Sequence, residues 1–139
     1  TLFGYGDGTG AHFDGILADI LEGTEYSADF EEDLAKEDAM GNTVDYRLKM
    51  YSPLYFLMES NEGYETATIA KYWRIRSGAW QGDTALTSEV NLALALENYT
   101  GVEVVDFATI WGQKHVEAES TGNSTSNFIE WVNECIATE

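Results

Sequence analysis

The sequence predicts an α/β fold in which parallel strands are joined by crossover helices, preceded by an acidic helical segment. Three observations lead there. The second half alternates strand-like with helix-like patterning, in the order strand, loop, helix, strand, loop, helix. The first half shows helix spacing only. The 139 residues, 44% of them hydrophobic, suffice for one globular core and are few for two.

Residues 1–10 carry Gly4, Gly6, Gly8 and Gly10 and read as a loop. Gly6-Asp7-Gly8-Thr9-Gly10 lacks the Lys-Ser/Thr and the preceding strand that a phosphate-binding loop needs. From His12 to Leu21 the apolar positions Phe13, Ile16, Leu17, Ile20 and Leu21 recur at helical spacing, and Gly23 supplies a stop. Two short helices are predicted over Tyr26–Ala35 and Val44–Met50, the second capped by Asn42-Thr43. Pro53 closes this helical part, and Ser60-Asn61-Glu62-Gly63 is a loop.

Tyr72-Trp73-Arg74-Ile75-Arg76 alternates with aromatic and β-branched residues, as a strand does. Ser77–Gly82 is a turn. Thr84–Glu97 is a helix expected to bury Leu86, Val90, Ala93 and Leu94. Val102–Ile110 is a second strand, with Val102, Val104, Val105, Phe107 and Ile110 expected to be buried. Trp111–Gly122 is a loop, and Ser124 or Thr125 caps a last helix running to about Ala137. Two strands joined by one crossover helix are expected to be parallel. The division is placed near residue 65, with 1–65 an acidic helical segment and 66–139 the end of the α/β core.

Seven basic residues face twenty-five acidic ones, for a net charge of −18. Such a charge repels phosphate backbones and anionic headgroups, which argues against nucleic-acid and membrane-surface partners. No apolar run approaches the length of a membrane span. The chain opens Thr1-Leu2-Phe3 without a Met or a leader pattern, so Thr1 reads as other than a native start and compartment is left open. The single cysteine, Cys135, excludes an internal disulfide and any CxxC site. It shares an apolar helical face with Phe128, Ile129, Trp131, Val132 and Ile136, and reads as a buried structural thiol.

In open parallel sheets, function collects in loops at the carboxyl ends of strands. Here those loops carry Asp83 and His115. A carboxylate that orients an imidazole, which in turn deprotonates a serine, needs its partners in neighbouring loops. An acid followed by a histidine, with the serine well before both, is the α/β-hydrolase chain order. The simpler readings are that Asp83 caps the next helix and that His115 is an ordinary loop histidine. The other histidine, His12, reads as a surface or capping residue. No Gly-x-Ser-x-Gly elbow occurs anywhere in the chain.

Tyr72-Trp73-Arg74-Ile75-Arg76-Ser77-Gly78, Gln81-Gly82-Asp83-Thr84-Ala85-Leu86, and Val105-Asp106-Phe107 with Trp111-Gly112-Gln113-Lys114-His115 resemble the C-terminal part of bacterial α/β-hydrolases of the tannase and feruloyl-esterase-like group. The resemblance spans roughly Met50 to the end, and Thr9–Gly23 more loosely. It implies that Asp83 is the triad acid, that His115 is the triad histidine, and that the acidic helical segment is a lid. It implies a serine carboxylic-ester hydrolase whose nucleophile lies on an N-terminal part outside this chain, acting on a small ester. Trp80, Gln81, Trp111 and Lys114 become candidate pocket walls. No metal or organic cofactor is implied. Gln81 stands where tannases proper tend to carry a second carboxylate, which weakens the case for polyphenol esters and leaves ester hydrolysis intact. Two other readings stay open: a serine peptidase of the prolyl-oligopeptidase type, and a non-catalytic acidic module binding calcium or a protein. For calcium, Asp7, Asp14 and Asp19 are the candidates, though their spacing fits no EF-hand.

Overall fold

The computed structural model of the chain describes residues 12–138. The glycine-rich opening and Asp7 lie outside the described residues. Helices and a small parallel sheet make up the structure, and the chain divides into two compact units between Tyr55 and Phe56.

The first unit is helical. Helix α1 (Gly15–Ile20) is shorter than its apolar spacing predicts, because Asp14 takes the cap position and its side chain accepts from Leu17 N at 3.0 Å. His12 and Phe13 therefore precede the helix, and Ile16 and Ile20 stay exposed. Helix α2 (Ser27–Leu34) buries Phe30 and Asp33 and packs against α1. Helix α3 (Val44–Tyr51) starts at Thr43, whose hydroxyl accepts from Tyr46 N at 3.2 Å, and buries Val44. Pro53 does not close the helical part but opens α4 (Pro53–Leu57). Its ring presets φ for a helix, and its missing N–H is one that a first turn leaves unpaired anyway.

In the second unit, β1 (Tyr72–Gly78) and β2 (Val104–Ile110) pair in parallel, with Tyr72 opposite Val104 and Gly78 opposite Ile110. The strands are joined by α5 (Leu86–Glu97), which packs on both. Its buried residues are Ala93 and Leu96, the latter completely. Of the expected core face, Ala93 is buried, whereas Leu86, Val90 and Leu94 are exposed. Val104 is exposed as well, and the other apolar residues of β2 are no more than half-buried. A two-stranded sheet covered by one helix has too little surface to bury both faces of a strand.

Helix α6 (Ser124–Ala137) is capped by Asn123, whose Oδ1 accepts from Thr125 N at 3.0 Å and Ser126 N at 3.2 Å. Asparagine is among the strongest caps, and it sits one position before the predicted Ser124 or Thr125. No residue of α6 is fully buried, so Cys135 is half-buried rather than a core thiol. Phe128, Ile129 and Ile136 are 50–65% exposed.

Candidate active site

The loops that follow β1 and β2 are joined by their backbones. Ala79 N donates to Ile110 O at 2.9 Å, and Trp80 N donates to Gln113 O at 2.9 Å. The approach is close enough that Gly78 has no room for a side chain: a Cβ there would collide with the carbonyls of Gln113 and Lys114. Glycine at the end of β1 thus lets the second loop lie directly on the strand end. The loops holding Asp83 and His115 are neighbours, as the parallel topology requires.

Their side chains do not meet in this structure. No hydrogen bond or ion pair joins Asp83 to His115, and Asp83 is exposed to solvent. Asp83 does not cap α5 either; Ala85 holds the cap position and receives no side-chain bond. The turn is pinned by Gln81, whose Oε1 accepts from Asp83 N (2.7 Å) and Thr84 N (2.9 Å) while Nε2 donates to Thr84 O (2.7 Å). Gln81 is therefore turned in on its own loop rather than presented as a pocket wall. Trp80 and Trp111 are 71% and 92% exposed, so both indoles stand in solvent and neither encloses a pocket. Lys114 is exposed and makes no ion pair among the described residues. His115 is half-buried, with its Nδ1 fully enclosed and without a hydrogen-bond partner among the described residues.

A second carboxylate lies at the same end of the sheet. Glu89, in the first turn of α5, accepts from the buried hydroxyl of Ser77 at 3.2 Å through Oε1. Its Oε2 is enclosed and has no hydrogen-bond partner among the described residues. The expected core face of α5, Leu86, Val90, Ala93 and Leu94, does not include Glu89, and of its members only Ala93 is buried. The signal was there: Glu89, Ala93 and Leu96 stand four and three residues apart, on one helical face.

Charged side chains hold the second loop to the sheet from the other face. Arg74 and Arg76 alternate with Ser77 along β1 and reach the Asp106 carboxylate, opposite Arg74 in register. Arg74 also donates to Glu119 at 2.7 Å, with the two side chains only 12% and 8% exposed. Burial pushes the Glu119 carboxyl up, but hydrogen bonds from Asn127 and Arg74 outweigh it and hold the group below its ordinary range.

An open cleft of about 420 Å³ lies at the opposite, amino-terminal ends of the strands, lined in part by Tyr72, Val104 and Cys135. Among the described residues, no three His, Cys, Asp or Glu side chains converge as a metal ion requires, and Asp14 is engaged as a helix cap. Among the described residues, no helix is long and apolar enough to cross a membrane. No family model, curated protein or solved structure matches the chain.

Proposed function

We propose that this chain is the histidine-bearing part of a serine carboxylic-ester hydrolase of the α/β-hydrolase type. The observation that carries the reading is the joining of the two strand-end loops: consecutive parallel strands deliver an acidic loop and a histidine loop to one sheet edge, in the order such enzymes use. His115 acts first as general base, taking the proton of a serine hydroxyl as it attacks the ester carbonyl. It then acts as general acid, returning that proton to the departing alcohol. A carboxylate from the segment after β1 holds the imidazole in the tautomer that leaves Nε2 free. The resemblance gives that role to Asp83, whose exposed turn would have to fold inward for it to reach.

The serine and the N–H groups that stabilise the oxyanion come from a partner segment, the N-terminal part of the same enzyme. The exposed apolar residues of α5, β2 and α6 support this, because a parallel sheet is normally covered on both faces and extended by neighbouring strands. The first unit would be the lid, and Trp80 and Trp111 would be enclosed only on assembly.

Labelling of the full-length polypeptide with a fluorophosphonate tests the class. The expected result is one stoichiometric adduct on a serine outside this chain, lost when the protein is unfolded first. An adduct on a serine within residues 1–139, or none on an active preparation, contradicts it.

A further inference from the structure

We propose that Arg74 and Glu119 are positioning residues for His115: their ion pair fixes the returning half of the loop after β2 on β1, and so sets where the imidazole stands. Arg74 and Gly78 are separated by an even number of positions in one strand, so their Cβ positions share a face of β1. At Gly78 the loop crosses that face, with the carbonyls of Gln113 and Lys114 filling the space of a Cβ. At Arg74 the loop meets the same face again, where Glu119 Oε1 accepts from the guanidinium Nη2 at 2.7 Å. A strand rises about 3.3 Å per residue, so Arg74 lies roughly 13 Å back along β1 from Gly78. The chain from Lys114 to Glu119 is long enough to cover that span. His115 sits at the start of the return path, between the two anchors.

The ring depends on this path for its place. Its Nδ1 has no hydrogen-bond partner among the described residues, so no bond there fixes the imidazole independently of its backbone. Between His115 and Glu119 the backbone turns through Glu117 at a φ of 56°, a left-handed conformation that a residue with a side chain keeps only where its surroundings hold it. The hold comes immediately afterwards, from the buried Ala118 and from Glu119 on Arg74. Asn127 of α6 adds to it by bonding the Glu119 carboxylate and donating to Thr121 O at 2.9 Å.

Cutting the pair frees Glu117 to leave the left-handed region, and that change swings His115. A general base must lie within hydrogen-bond reach of the hydroxyl it deprotonates, and a misplacement of about 1 Å costs on the order of a hundredfold in rate. This consequence rests on the proposed hydrolase function; the placement of the ring does not.

The test uses the full-length polypeptide and two readouts. One is the ring proton–carbon signals of His115, assigned by their loss in His115→Gln. The other is ester turnover, expressed per serine titrated by a fluorophosphonate. Glu119→Ala should displace the ring signals and lower kcat roughly tenfold to a hundredfold, with KM within about twofold. Glu119→Gln, which keeps an acceptor for Arg74, should hold kcat within about threefold of wild type. Asn127→Ala removes only the helix's share and should act in the same direction, by about threefold. Lys71→Ala breaks the 2.8 Å pair with Glu103 at the amino ends of the strands and should leave both readouts unchanged. A fall in titratable serines with kcat per site intact marks folding support alone and overturns the proposal. Unmoved ring signals in a folded Glu119→Ala overturn it too, as they do in Asn127→Ala should Glu119→Ala not fold. If the wild type hydrolyses no ester, the hydrolase reading falls, and the ring signals still decide whether the pair places His115.

Discussion

Asp33 shows how much a single buried carboxylate is asked to do. Only 6% exposed, it accepts from Lys36 Nζ at 2.7 Å and from His12 Nδ1 at 2.8 Å, while the His12 ring meets Phe30 edge-on at 4.8 Å. The Lys36 hydrogen bond, then that of His12, pulls the Asp33 carboxyl down to about 2 despite burial. A folded value below the unfolded one means that the ionised carboxylate stabilises the first unit fully above roughly pH 5. That contribution is lost as the pH falls through about 2. Following the Asp33 carboxyl carbon by NMR should therefore give a midpoint well below the ordinary aspartate value of 3.8, and Asp33→Asn should flatten stability between about pH 4 and pH 2. Gly78 makes the opposite kind of demand, for empty space. Gly78→Ala should destabilise the second unit by at least about 1–3 kcal/mol in denaturant unfolding, because the atoms in the way are backbone. His12 was legible only as a surface or capping residue: its partner lies twenty-one positions away, and no local pattern reveals such a pairing.

At the scale of elements, the strands and long helices were readable because each carries its own period, and the parallel pairing followed from the crossover helix between them. The faces were less readable. Helix α5 is apolar nearly all round, so its sequence offers two stripes, and the packing on β1 and β2 selects the one holding Glu89, Ala93 and Leu96. The Arg74–Glu119 pair is an element-scale contact, tying the loop after β2 to β1 across forty-five positions. Removing one member of so enclosed a pair strands the other's charge. Arg74→Met should therefore cost the second unit roughly 3–5 kcal/mol, whereas Asn123→Ala at the α6 cap should cost about 1 kcal/mol. Urea unfolding of the two variants side by side checks the ranking, and equal losses would contradict it.

For the whole molecule, the candidate site was legible as two loops and not as a finished arrangement. Chain order and strand-end placement brought Asp83 and His115 to neighbouring loops, but whether their side chains meet depends on how each loop folds, which no spacing rule reports. The exposed apolar residues of α5, β2 and α6 also belong at this scale. If they are covered by the segment carrying the serine, residues 1–139 alone should bind an environment-sensitive dye such as ANS strongly, and the full-length polypeptide weakly. Residues 1–139 alone should likewise show no ester turnover above background. The role of His115 is tested most directly by steady-state hydrolysis of a chromogenic short-chain ester by the full-length polypeptide, comparing wild type with His115→Ala. The predicted result is a fall in kcat/KM of roughly a thousandfold or more, with thermal unfolding little changed. Wild-type turnover by a folded His115→Ala variant would contradict it.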